Sequence, residues 1–228
     1  VASMPERARK FSKDIRNDLC LALAQQYQGL EINEVLQKNL DCLSSSHSLT
    51  VTTGHQLNLF GGPLYFIYKI ITVLKLAEQL NQNQNEHVVV PVFWMASEDH
   101  DFEEINFFRF EGEKISWNRD SGGAVGRLST DGLKEVFEVL ASLTGRSQNA
   151  RQLQTLFEEA YIRHQSLADA TRFLVHQLFR DKGLVVLDAD SPLLKKYFIN
   201  TVKKEITEET TFHQVEKTSA KLKEMGYN

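Results

Sequence analysis

Glu98-Asp99-His100-Asp101, with Glu103 and Glu104 close behind, is the densest run of ionisable side chains in the sequence. A histidine flanked by carboxylates can be held in one tautomer and can take or give a proton near neutral pH, which is the work of a general base or acid. His100 is the candidate base, and Asp99, Asp101 and Glu98 are its candidate carboxylate partners. The cluster could also hold a divalent ion. Consecutive residues point in different directions, however, and no HxxxH or HxH spacing exists to converge on zinc, so no metal is expected.

A second run extends from Thr53-Gly54-His55-Gln56 to Gly61-Gly62-Pro63-Leu64-Tyr65. Gly62 and Pro63 mark a helix start, because proline in the first turn loses no hydrogen bond and glycine lets the backbone approach a ligand. The unpaired N–H groups there make Gly61-Gly62 a candidate cradle for a carboxylate or phosphate. Tyr65 and Lys69, four apart, share a face of that helix. Lys69 either carries its ammonium out to solvent or reaches an anionic ligand. The glycines form neither G-x-G-x-x-G nor a Walker loop, and Ser97 has no G-x-S-x-G context. His55 follows the first strand, as does the first histidine of the HxGH turn of nucleotidylyltransferases, but the tetrad is incomplete.

The elements that position these runs follow from periodicity. Phe11, Ile15, Leu19 and Leu23 recur every four positions and predict an amphipathic helix from Pro5 to about Gln28. A shorter helix follows over Glu31 to Leu43, with Asn33 as its cap, and then a serine-rich loop. Leu49 to Thr53 reads as a strand ended by Gly54. The helix after Pro63 runs to about Gln79 or Asn81 and turns Leu64, Ile67, Ile71 and Leu74 toward a sheet. Beyond the polar connector Asn81 to Asn85, Val88 to Trp94 is a strand in which Pro91 argues for a bulge or an edge. Strand, helix and strand in that order make a βαβ unit, and both polar runs then lie at the carboxyl ends of neighbouring parallel strands, where open α/β sheets bind ligands.

Phe107 to Phe110 and Lys114 to Trp117 predict a hairpin around Glu111-Gly112-Glu113. Helices are expected over Thr130 to Leu143 and Ser147 to Asp181, the second broken near His164 to Ala168, with His164 and His176 as packing or surface residues. Gly183 to Asp188 is a third buried strand; Asp188 and Asp190 read as turn and cap residues before a helix from Pro192 to Glu208, and a last helix covers Phe212 to Met225. The expected organisation is a helical segment over 1–48 packing on an α/β core over 49–228, with an insertion at about 107–180.

With 228 residues, 42% of them hydrophobic and 25% charged, the chain can bury a sizeable core. A net charge of −4 without a block of either sign excludes a nucleic-acid or membrane surface as the expected partner. Cys20 and Cys42 are far apart, outside any CxxC spacing and without a signal peptide ahead of them, so they read as reduced packing residues of a cytoplasmic protein. No apolar run reaches the ~18 residues of a membrane helix. The chain begins at Val1 and stops directly after a helical pattern, so it is expected to be part of a longer protein.

Three stretches together resemble the bacillithiol-synthesis cysteine ligase family BshC. They are Val51-Thr52-Thr53-Gly54-His55-Gln56, then Gly62-Pro63-Leu64-Tyr65 with Lys69-Ile70, and Pro91 to Asn106 with its W-x-A-x-E-D-H-D run; Gly183 to Asp188 is similar to a later strand of that family. The likeness covers about Leu49 to Lys204, and His55 stands where the family more often has glutamine. The resemblance implies a Rossmann-like, nucleotidylyltransferase-related core and, in the full protein, a C-terminal coiled coil through which a homodimer would form. It implies a reaction joining the carboxyl group of cysteine to the amine of glucosaminyl-malate, and leaves the cofactor open, with a nucleotide as the candidate.

On that reading His100 with Asp99 or Asp101 deprotonates the amine, and Gly61-Gly62 with Lys69 binds the malate carboxylates. Thr53, Gly54, His55, Gln56, Tyr65, Trp94 and Ser97 complete the candidate substrate contacts. Two rival readings remain: a nucleotidyl or adenylyl transferase acting on a small acid, and an anion-binding module without turnover.

Overall fold

The computed structural model describes residues 11–83 and 86–227. The chain divides into two compact units at Ser191/Pro192. In chain order the first contains α1 (Lys13–Gln26), α2 (Glu34–Cys42), β1 (Ser48–His55), α3 (Tyr65–Asn83), β2 (Val88–Met95), α4 (Phe102–Ile105), β3 (Phe107–Phe110), β4 (Glu113–Ser116), α5 (Leu133–Thr144), α6 (Gln148–Tyr161), α7 (Leu167–Phe179) and β5 (Val185–Asp188). Strands β1, β2 and β5 form a parallel sheet in that order, and β3 with β4 forms a separate antiparallel hairpin.

Ser12 caps α1 and Asn33 caps α2, each accepting a backbone N–H with its side chain. The expected first residues of the N-terminal helix, Pro5 to Lys10, lie outside the described residues, as do Gln84 and Asn85 of the polar connector. Of the expected apolar face only Leu23 is buried, alongside Ala22 and Arg16. Arg16 goes inward because its guanidinium donates to the Leu43 carbonyl (3.2 Å), the Ser48 hydroxyl (2.8 Å) and the Ser48 carbonyl (3.2 Å). That fork ties α1 and the end of α2 to the first residue of β1.

Helix α3 begins two residues after the expected Pro63, once Phe60, Gly61 and Gly62 have all taken positive φ. It buries Phe66, Ile70, Val73 and Ala77; of the expected Leu64-Ile67-Ile71-Leu74 face, Ile67 and Leu74 are half-buried against the core, while Leu64 is 66% and Ile71 40% exposed. Pro91 is neither at a bulge nor on an outer strand: it pairs one to one with Val51 on the central strand. Proline is tolerated there because β5 pairs only with Val92 to Met95, leaving β2 one-sided at Pro91.

The hairpin turn is the two-residue Glu111-Gly112, both at positive φ as a type I′ turn requires. Ser147 and Ser166 cap α6 and α7, which fall on either side of the expected break near His164. One core joins the sheet, α3, the hairpin, α5 and α7, with Phe60 in contact with Phe108 (5.3 Å), Phe157 (5.2 Å) and Tyr161 (4.7 Å). Cys20 and Cys42 are free, half-buried thiols. The second unit has α8 (Pro192–Lys195), α9 (Ile199–Glu208) and α10 (Thr210–Glu224). The single helix expected from Pro192 to Glu208 is interrupted by a 3₁₀ turn at Lys196–Phe198.

His176 makes this fold sensitive to acid. It is fully buried, its Nε2 lies 2.9 Å from the Glu31 carbonyl, its ring meets Tyr27 edge-on at 5.7 Å, and Nδ1 has no partner. Burial lowers its pKa from the ordinary 6.5, so below that pH the unfolded chain takes up the proton first. Stability is therefore expected to fall as the pH drops below about 6.5. Urea unfolding at pH 7.5 and pH 5 checks this, and His176→Gln should flatten the difference; an equal loss in both proteins would place the acid sensitivity elsewhere.

Candidate functional site at the carboxyl edge of the sheet

Parallel pairing sets His55 beside Met95 and Met95 beside Asp188, so the loops after all three strands leave from the same edge. The Ala96 N–H donates to the His55 carbonyl at 3.1 Å, joining the first two loops directly. Gln56 then reaches across them. Its carboxamide NH₂ donates to Asp99 Oδ2 (3.0 Å) and to Glu104 Oε2 (2.5 Å), so one side chain holds two carboxylates. The other oxygen of Asp99 accepts the backbone N–H groups of His100 (2.7 Å) and Asp101 (3.3 Å). The Gln56 donor, helped by these amides, keeps the Asp99 carboxyl below the usual carboxylate range. His100 Nδ1 stands 3.8 Å from Asp99 Oδ1 with its side chain 88% exposed, Asp101 is half-buried and Glu98 is exposed.

His55 is 7% exposed and lies against Tyr65 (5.1 Å) and Phe66 (5.4 Å). Its Nδ1 is 3.0 Å from the Gln56 carbonyl and 3.1 Å from the Asn58 amide, and burial pushes its pKa down, which keeps the ring neutral. Lys69 directs its ammonium to the Gly54 carbonyl at 2.5 Å. That bond ties α3 to the end of β1. The Gly62 N–H donates to the Leu59 carbonyl at 3.0 Å, and a Cβ on Gly62 would lie 2.4 Å from Asn58 Cβ, so the Gly61-Gly62 turn is folded tightly on itself. Tyr65 is exposed, Thr53 half-buried, and Trp94, 36% exposed, lies on the opposite face of β2 from Phe93 and Met95, beside Gly54.

Ser97 is buried at 1% exposure, and its hydroxyl donates to Asp188 Oδ1. The same carboxyl oxygen accepts the Asp190 N–H (2.9 Å), so Asp188 does hold a turn while also fastening the loop after β2 to the end of β5. Gly126 donates its N–H to the Ser97 carbonyl (2.9 Å), and a Cβ there would fall 2.6 Å from Ser97 Cβ. Arg127 forks onto Asp190 at 2.5 and 2.9 Å. Asp190 is thus spent on an ion pair. Gly126 and Arg127 are site-building residues that sequence reasoning missed; Gly126 stands out in the sequence as a third glycine after Gly122-Gly123, but its partner is nowhere near it in the chain.

Gln56, Gly62, Tyr65, Glu103, Glu104 and Arg109 are among the residues that line a cleft of about 640 Å³. That volume is in the range of small-molecule sites. Of the residues expected from sequence, the structure brings Gln56, Gly62 and Tyr65 to the cleft and places Asp99 and His100 on the loop joined to it through Gln56. Lys69 and Ser97 are engaged in internal contacts. Among the described residues no three His, Cys, Asp or Glu side chains converge to hold a metal ion. No helix among them is long and apolar enough to cross a membrane.

A parallel α/β sheet with its polar loops gathered at one edge defines a Rossmann-like domain. Residues 2–228 match the family model described as bacillithiol biosynthesis BshC, N-terminal Rossmann-like domain, and the chain belongs to that family. It is 48% identical, over 96% of its length and 41% of the relative's, to the protein of Flavobacterium johnsoniae named "Putative cysteine ligase BshC". Proteins with the same name from Flavobacterium psychrophilum (49% identity, 93% of this chain and 40% of the relative) and Christiangramia forsetii (45%, 100% and 43%) are similar to it. The chain spans about 40% of the length of these relatives.

Proposed function

We propose that this chain carries the catalytic edge of a cytoplasmic ligase that joins the carboxyl group of cysteine to the amine of glucosaminyl-malate, making an amide bond in bacillithiol biosynthesis. The observation that carries the reading is the Gln56 clamp on Asp99 and Glu104 beside the cleft, in a chain of this family. Amide formation needs a neutral amine, so a base must stand where the amine is presented. His100, exposed and 3.8 Å from an anchored, ionised Asp99, can take that proton, and Asp99 stabilises the imidazolium that results.

Acyl transfer also needs a leaving group on the cysteine carboxylate, and a nucleotide that adenylates or phosphorylates it would supply one. The test is incubation of the full-length protein with cysteine, glucosaminyl-malate and ATP, with bacillithiol followed as its thiol adduct by mass spectrometry. Bacillithiol formed with ATP consumption is expected. Pyrophosphate release with no thiol product would favour a nucleotidyl transferase, and substrate binding without any turnover would leave only a binding module. In cells, loss of the gene should deplete bacillithiol and accumulate glucosaminyl-malate.

A further inference from the structure

The cleft is lined by charges of both signs, Glu103 and Glu104 on α4 and Arg109 on β3. Arg109 faces Lys114 directly across the hairpin, so two cations occupy one cross-strand pair. Like charges at that position destabilise a hairpin. No carboxylate relieves them: among the described residues neither cation has an ion-pair partner, and the Lys114 ammonium instead lies 4.2 Å from the centre of the Phe107 ring. The other face of the hairpin, with Phe108 and Ile115, packs on the core, which fixes the backbone that carries Phe107, Arg109 and Lys114. An exposed guanidinium without an ion-pair partner, on the wall of a cleft and opposite a second cation in the hairpin, is matched to a carboxylate ligand, which a guanidinium binds with two parallel N–H donors.

We propose that Arg109, supported by Lys114, is the specificity-determining residue of this cleft. It receives the dicarboxylate end of an elongated zwitterion whose ammonium end lies toward Glu104 and the Asp99 to His100 loop. The assignment rests on the ligase reading for the identity of that zwitterion, glucosaminyl-malate, with the malate at Arg109 and the amine at the base. It gives the anion-binding role to the hairpin, since the Lys69 ammonium is already bound to the Gly54 carbonyl.

Calorimetric titration of glucosaminyl-malate and of methyl glucosaminide, which lacks the malate, into the full-length protein and its Arg109→Met and Arg109→Lys variants tests this. Arg109→Met should weaken glucosaminyl-malate by about tenfold or more, the size expected for a lost charge-assisted pair, and leave methyl glucosaminide unaffected. Arg109→Lys should fall between. Under turnover the loss should appear mainly in KM. Unchanged affinity for glucosaminyl-malate, or equal weakening of both ligands, overturns the assignment. Arg109-dependent binding in a protein that adds no cysteine would overturn the ligase reading and leave the assignment standing; cysteine addition with a KM indifferent to Arg109 would do the reverse. A wild type that binds no glucosaminyl-malate overturns both.

Discussion

Trp117→Ala is expected to cost about 3–5 kcal/mol of folding stability, the range for deleting a large buried aromatic. The residue is 1% exposed and its contacts come from four directions. Its ring meets Phe102 of α4 edge-on at 5.4 Å, its indole N–H donates to the Asp131 carbonyl at 2.9 Å, its backbone N–H donates to the Asn106 carbonyl at 2.7 Å, and the Arg119 guanidinium lies 5.1 Å from its ring centre. Gly132 is at positive φ, and a Cβ there would come within 3.2 Å of the indole nitrogen, so the neighbouring backbone is fitted to this ring.

In a domain of this size such a loss lowers Tm by roughly 10 °C. Trp117→Phe keeps most of the packing and forfeits the indole hydrogen bond, for a cost of about 1 kcal/mol. Thermal unfolding of both variants measures the split. Because Trp117 fixes α4 and the hairpin, the alanine variant should also loosen the wall that carries Glu104 and Arg109. Equal stability of the alanine variant and wild type would mean that these contacts do not hold the hairpin in place.

The sheet and its edge were legible because they depend on local signals. Leu49 to Thr53, Val88 to Trp94 and Gly183 to Asp188 are β-branched or apolar runs ended by polar residues, and parallel pairing then obliges their carboxyl ends to meet. What could not be read were choices that depend on distant partners. The apolar surface of α3 is broad enough that Leu64-Ile67-Ile71-Leu74 and Phe66-Ile70-Val73-Ala77 both satisfy helical spacing, and only the packing of distant elements shows that the second set is fully buried while Ile67 and Leu74 of the first are half-buried. Lys69 had two destinations available in sequence, solvent or ligand, and takes a third, a backbone carbonyl 15 residues earlier. Ser97 meets Asp188 across 91 residues of chain, a pairing that no motif encodes.

The same limit applies to the candidate site. The Glu98 to Asp101 run announces ionisable chemistry, but its geometry comes from Gln56, 43 residues before Asp99. Two runs that sequence reasoning treated as separate, a cradle and a base, are one hydrogen-bonded unit. Arg109 lay in what read as a structural hairpin, although the hairpin register alone sets it opposite Lys114. A like-charged cross-strand pair is a signal that can be taken from sequence once the turn at Glu111-Gly112 has been recognised.

If His100 is the base, His100→Ala should lower kcat for cysteine addition by about 10²–10⁴-fold, the usual contribution of a positioned proton acceptor. KM should change little, because the imidazole acts on a proton in the transition state and the cleft walls remain intact. Tm should also be unchanged, since the side chain is 88% exposed and supports no packing. Asp99→Asn gives the complementary result. The asparagine oxygen can still accept the His100 and Asp101 N–H groups, but its NH₂ would face the Gln56 NH₂, so the Gln56 bond to this residue is lost together with the charge that favours the imidazolium 3.8 Å away. It should lower kcat less than His100→Ala, and combining the two should cost little more than His100→Ala alone, because Asp99 acts through the histidine. Unchanged turnover in His100→Ala would remove this residue from the mechanism. A fully additive double variant would instead make Asp99 an independent participant, acting on the amine directly from the end of the Gln56 clamp.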